Sequence, residues 1–136
     1  MPHMVFVDTN IFLRHLRNDH PEMSPKATAF LQRVEHGELK ARTADTVVFE
    51  IVYTLQRTYK TPKPDIQNVL LSLLALPGIV LPRKQRYRKV FEYYVHLNIS
   101  FADAYHAVLM EDLKLDTVVS FDTEFDRVER LTRSEP

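Results

Sequence analysis

A chain of 136 residues, 45 % of them apolar, suits one domain around one hydrophobic core. Its 18 basic and 18 acidic residues cancel, so global charge advertises neither nucleic-acid nor membrane binding, and any such role must rest on local patches. With no cysteine there is no disulfide framework and no thiolate metal site, which fits a reducing, cytoplasmic compartment. No apolar run approaches the ~20 residues of a membrane span, and residues 1–17 carry Asp8, Arg14 and Arg17 in place of a signal-peptide core.

Met1-Pro2-His3 precedes a second methionine, Met4, and has no assigned role. Val5-Phe6-Val7 is a short apolar run, read as a buried strand of a parallel sheet that ends in Asp8-Thr9-Asn10. Asp8 then sits at the carboxyl end of a strand, where ligands bind in open α/β sheets. Thr9 and Asn10 are competent to cap the helix that follows, over Ile11 to Arg17. Ser24-Pro25 starts a second helix, an N-cap followed by proline at the first position, and it runs to about His36 with Gly37 as its stop. Leu39 to Thr43 is a second strand.

Asp45-Thr46 opens a helix from Val47 to about Lys60, with Val47, Val48, Ile51, Val52, Leu55 and Tyr59 in one apolar stripe. Glu50 lies beside that stripe. Its structural readings are an acid complementing the helix dipole or a partner for Arg57; a capping box is disfavoured because Glu50 follows Thr46 by four residues, not three. After Thr61-Pro62-Lys63-Pro64 comes a Leu-rich helix, Asp65 to Leu76, closed by Pro77-Gly78. Ile79-Val80-Leu81 is a third strand. Arg83, Lys84, Arg86, Arg88 and Lys89 form the most basic stretch and open a helix that reaches about Leu97. Such a run is a solvated helix face or a contact for a phosphate backbone.

The helix from Ser100 to Lys114 is apolar in nearly every direction, the mark of a buried helix. Asp103 lies inside it, and Ser100-x-x-Asp103 matches a capping box. Buried acids are rare unless paired, protonated or bound to a metal, so a functional role competes with the cap. His106 reads as a hydrogen-bonded core residue. Thr117-Val118-Val119-Ser120 is a fourth strand, and Asp122 at its end repeats the Val5 to Asp8 pattern. Thr123 to Asp126 forms a helical turn, Val128 to Leu131 a last edge strand, and Thr132 to Pro136 a loose tail.

Strands alternating with helices imply a parallel sheet built by right-handed crossovers. If strands one and four are neighbours, Asp8 and Asp122 meet at adjacent carboxyl ends, and the amino end of the Ser100 helix brings Asp103 to the same rim. The Val47 helix adds Glu50. Four carboxylates in one cleft repel one another unless some hold a proton or a cation neutralises them. Oxygen-only ligation favours Mg²⁺ or Mn²⁺, and such a site hydrolyses phosphodiesters by activating water and stabilising the leaving oxygen.

Val7-Asp8-Thr9-Asn10, Glu50 within Val48-Phe49-Glu50-Ile51-Val52, Ser100-Phe101-Ala102-Asp103-Ala104 and Ser120-Phe121-Asp122-Thr123-Glu124-Phe125-Asp126 together resemble the ordered motifs of PIN domains. The small single-domain form is similar to VapC-type toxins of prokaryotic toxin–antitoxin pairs. The resemblance covers nearly the whole chain. It implies a metal-dependent ribonuclease with a five-stranded parallel sheet, dimeric and inhibited by a cognate antitoxin. Carried over by position, Asp8, Glu50, Asp103 and Asp122 are the acidic, metal-binding centre. Thr9, Asn10 and Ser120 orient it, and Asp126 is a further acid. The chain departs from the family where Asp126-Arg127-Val128 runs into the tail without a glycine turn. The expected fold is thus α/β: one three-layer domain over 1–136, with a central parallel sheet of four to five strands flanked by helices. The expected activity is that of an Mg²⁺- or Mn²⁺-dependent endoribonuclease acting with RNA, an antitoxin and a second copy of itself, with no membrane role. A non-catalytic α/β binding module, with Asp8 and Asp103 only as helix caps, is one alternative. A metal-dependent phosphatase or phosphoacceptor domain is another, disfavoured because residue 10 is Asn where that pattern needs a second acid.

Overall fold

The computed structural model describes residues 3–136; Met1 and Pro2 lie outside the described residues. Two compact units follow each other along the chain, Met1–Lys84 and Gln85–Pro136. Helices and parallel strands alternate in them, as the three-layer α/β class requires. No helix among the described residues is long and apolar enough to cross a membrane.

In the first unit three strands, β1 (His3–Phe6), β2 (Leu39–Arg42) and β3 (Ile79–Val80), form a parallel sheet in the order β1-β2-β3. Val5 stands opposite Ala41, and Ala41 opposite Ile79. Parallel neighbours need crossovers. Helices α1 (Thr9–Arg17) and α2 (Met23–Glu35) supply the first, and α3 (Asp45–Arg57) and α4 (Lys63–Leu74) the second. The ladder extends past β1, because Val7 N–H donates to the Arg42 carbonyl at 2.9 Å and the Thr43 hydroxyl donates to the Val7 carbonyl at 3.2 Å. Val7 is buried, but Met4 and Phe6 are exposed at 50 % and 62 %, so β1 is not the fully buried strand its apolar run suggests.

Periodicity accounts for the helices. Val47, Val48, Ile51, Val52 and Leu55 of α3 are all buried, as are Ile66, Leu70, Leu73 and Leu74 of α4. Leu70, Leu73 and Leu74 therefore serve the core, whereas Leu71 is half-buried and Val69 exposed. Helix α2 begins one residue before Ser24-Pro25. Ser24 is fully buried inside it, and its Oγ accepts from the His20 N–H at 3.1 Å, so it secures the preceding loop in place of capping the helix. Gly37 ends α2 at φ +82°, the left-handed region that favours glycine. Gly78 is required for a different reason: a Cβ there would lie 2.7 Å from Val34 Cγ1 and 2.8 Å from the Val34 carbonyl.

The second unit follows a short 3₁₀ turn, Lys84–Arg86. It holds α5 (Tyr87–His96), α6 (Phe101–Asp112), β4 (Thr117–Val119), a 3₁₀ turn (Thr123–Arg127) and β5 (Thr132–Ser134). Tyr87, Phe91, Tyr94 and Phe101 cluster between α5 and α6, with Tyr87 stacked on Phe101 at 6.1 Å and Tyr94 edge-on to Phe101 at 5.4 Å. Strands β4 and β5 pair in parallel, Val118 opposite Arg133. The last strand is thus Thr132–Ser134, in the stretch expected to be a loose tail. Val128 to Leu131 is instead the connection, with Val128 buried. Helix α6 is not buried on all sides: Phe101, Ala104, Ala107, Val108 and Met110 are buried, whereas Ala102 and His106 are exposed. His106 is therefore no core residue.

Candidate functional site

In the second unit three carboxylates converge. Asp103, Asp122 and Glu124 each offer an oxygen, and these oxygens lie within 4.8 Å of one another. Asp103 reaches the cluster from the first turn of α6. Half of the anticipated capping box is present, since Ser100 Oγ accepts from the Asp103 N–H at 3.1 Å. The return bond goes elsewhere: the Ser100 N–H donates to Glu124 Oε1 at 3.2 Å. The Asp103 carboxylate is thereby released from capping. Its Oδ2 is buried with no hydrogen-bond partner among the described residues.

Asp122 is held by its own turn. Its N–H donates to Ser120 Oγ at 2.9 Å, and its Oδ1 accepts from the Glu124 N–H at 2.9 Å. These bonds tie Ser120 Oγ to the Asp122 backbone and the Asp122 carboxylate to the turn that follows. They also bring in Glu124, which sequence reasoning quoted within a motif but assigned no role. The signal was available in the Asp122-x-Glu124 spacing, once a tight turn sets both acids on one side. Asp126 does not join them. It pairs with Arg133, Oδ1 to Nε at 2.9 Å.

Crowding splits the titration of the two aspartates. Burial first, then the Asp122 carboxylate and Glu124, push the Asp103 carboxyl up to about 7, with the Ser100 contact opposing. Asp122 is held below the usual carboxylate range, by the Glu124 backbone N–H first and then by Asp103. A carboxyl with a buried, unpartnered oxygen beside two further carboxylates is a group that could hold a metal ion.

The first unit supplies a second acidic group. Asp8 occupies the N-cap position of α1 in extended conformation, yet its carboxylate makes no capping bond and is exposed. Thr9 is buried, and its Oγ1 donates to Glu50 Oε2 at 3.0 Å. This bond joins two expected site residues 41 positions apart. It also replaces the anticipated Glu50–Arg57 pair, because Arg57 lies over the Tyr53 ring at 5.5 Å. Asn10 is exposed on the same end of α1.

The basic run is largely committed to the fold. Lys84 Nζ donates to the Leu76 and Ile79 carbonyls at 2.9 and 2.8 Å. Arg86 pairs with Asp112 at 2.8 Å and donates to the Tyr105 hydroxyl. Lys89 pairs with Glu111 at 2.8 Å. Arg83 and Arg88 are exposed.

A protein of Aquifex aeolicus (strain VF5) named VapC ribonuclease is 25 % identical to this chain over 125 residues, 92 % of each. The model of the PIN domain matches residues 5–131, a span that takes in every acid described above, and this chain belongs to the PIN domain family.

Proposed function

We propose that this protein is an Mg²⁺- or Mn²⁺-dependent endoribonuclease, the toxin of a prokaryotic toxin–antitoxin pair, with residues 1–136 acting as one nuclease domain. The observation that carries the reading is the Asp103–Asp122–Glu124 cluster with its buried, unpartnered Asp103 oxygen. The similarity to a VapC ribonuclease supports RNA as substrate and an antitoxin as partner.

Asp8, Glu50, Asp103 and Asp122 serve as the acids of the reaction, and Glu124 lies with Asp103 and Asp122. A bound divalent ion supplies Lewis acidity and a water of lowered pKa for attack on phosphorus. The chain's own residues prepare for this. Ser120 Oγ holds the Asp122 backbone N–H, the Glu124 N–H fixes the Asp122 carboxylate, and Thr9 holds Glu50. Asp103, Asp122 and Glu124 are the carboxylates that would hold such an ion. Arg83 and Arg88 are the members of the basic run left exposed to meet a phosphate backbone. The protein works in the cytoplasm as a homodimer.

The binding-module alternative needs Asp8 and Asp103 as caps. It is disfavoured because neither carboxylate makes the required bond: Asp8 forms none, and the Ser100 N–H is taken by Glu124. Incubation with mixed cellular RNA in Mg²⁺, Mn²⁺ or EDTA, followed by sequencing of the cut ends, tests the proposal. Asp8→Asn is expected to abolish cleavage while leaving the melting transition intact. Cleavage that persists in EDTA, or in Asp8→Asn, overturns it.

A further inference from the structure

Within the first unit, α1 and α3 enclose a cleft of about 270 Å³. One wall is the stripe Asn10, Arg14 and Arg17 on α1, at spacings of four and three residues that place them on one helix face. The other wall is Glu50 and Thr54, four apart on α3, continued by Tyr59. Cross-helix contacts bound both ends. The Thr9–Glu50 hydrogen bond closes one, and the Arg17 guanidinium, 3.9 Å above the Tyr59 ring, closes the other. From Thr9 to Arg17 the stripe is about 12 Å long at the helical rise.

Arg14 stands between those ends. It is half-buried, and its guanidinium forms no hydrogen bond or ion pair among the described residues. A partly desolvated guanidinium without a bonded partner is costly, and a phosphate oxygen pair is the partner its planar fork fits. Arg17 is differently placed, being spread over Tyr59 and 3.9 Å from Asp19. The cleft thus holds Arg14 with no ion pair or hydrogen bond of its own, in a lining that also includes Arg17, Asp19 and Glu50.

We infer that this cleft is a subsite for the backbone of single-stranded RNA, in which Arg14 holds a phosphate and Arg17 on Tyr59 flanks it. The inference rests on the ribonuclease reading for the identity of the polyanion. It moves the principal backbone contact from the basic run, where three of five cations already bond to the protein, to a helix whose sequence carries only two arginines. The volume suits one nucleotide unit and not a folded duplex. Asp19 opposes the ligand at the far mouth and tempers the contribution of Arg17.

The test is fluorescence-anisotropy titration of a labelled mixed-sequence 12-nucleotide RNA against full-length protein in EDTA, over a salt series. Arg14→Gln is expected to bind about three- to tenfold more weakly, with the salt slope reduced by about 0.7, the value for one phosphate on a single strand. Arg14→Lys should keep the slope and lose only part of the affinity, since a point charge replaces the fork. Asp19→Asn should tighten binding. Arg33→Gln, which removes an exposed charge paired with Glu38 elsewhere in the unit, should stay within about twofold of wild type. Melting curves identify any variant that fails to fold, and the Lys and Asn variants then decide the matter. If Arg14→Gln and Arg14→Lys both match wild type in affinity and slope, the subsite is wrong even if the protein cuts RNA. If wild type binds RNA through Arg14 but never cuts it, the subsite stands and the ribonuclease reading falls. A wild type that does not bind RNA at all overturns both.

Discussion

Asp103 combines two roles that a capped helix usually keeps apart. Its N–H secures the first turn of α6 through Ser100 Oγ, while its carboxylate faces Asp122 and Glu124. The consequence for pH follows from the direction of its shift. An unfolded Asp loses its proton near 3.8, and the folded Asp103 keeps it to about 7. Between those values the folded state binds more protons, so metal-free stability falls as pH rises through that window and the penalty is complete above it. Asp103→Asn removes the charge at nearly constant volume and retains the N–H to Ser100. In EDTA at pH 8 the variant should therefore melt higher than wild type, and its melting temperature should change less between pH 4 and 7. Excess Mg²⁺ or Mn²⁺ should then stabilise wild type, because a ligand bound only by the folded state raises stability by mass action. The variant should gain much less. Equal slopes and equal metal responses in the two proteins would make Asp103 a structural residue only.

At the scale of elements, the approach of β3 to α2 is set by Gly78. Its carbonyl accepts from the Ala41 N–H at 2.7 Å, and its α-carbon lies against Val34 at the end of α2. A methyl group there meets a backbone carbonyl as well as a side chain, so rotamer adjustment cannot clear it. Gly78→Ala is expected to destabilise by about 1–3 kcal/mol, the usual cost of overpacking, despite the gain alanine gives in the unfolded chain. Urea melts of the two proteins check this, and a stabilised variant would mean that β3 shifts freely. The basic run is less free than its sequence suggests, because three of its cations are drawn to carbonyls and acids within reach.

For the molecule as a whole, the proposed homodimer cannot draw on a broad leucine face of α4, because Leu70, Leu73 and Leu74 are buried. The exposed large apolar side chains include Met4, Phe6, Ile11 and Met23 in the first unit and Leu113, Leu115, Val119 and Phe121 in the second. Where such side chains form a contiguous patch they favour association. Sedimentation at micromolar concentration should give twice the 16.0 kDa chain mass, and Phe6→Ser should shift the equilibrium toward single chains. A mass equal to one chain at those concentrations refutes the dimer.

The sequence by itself determined the alternation of helices and parallel strands, the stop at Gly37, the capping residue Ser100 and the family, because each of these is written in spacings of a few residues. Helical period, a positive φ and an N-cap act locally and need no partner from elsewhere. It also brought Asp103 and Asp122 forward as site acids, through two motifs of small residues around an acid. Only the tertiary structure decided which bond each acid makes. Glu124, 24 positions from Ser100, takes the N–H that the local pattern reserved for Asp103. Arg133 draws Asp126 away from the cluster, and Thr9 claims Glu50 from across 41 residues. The last strand likewise formed in the tail, where Thr132 to Ser134 find backbone partners along β4 that no local preference announces. Long-range hydrogen bonds and ion pairs depend on which side chains the fold brings within about 3 Å, and sequence spacing carries no record of that distance.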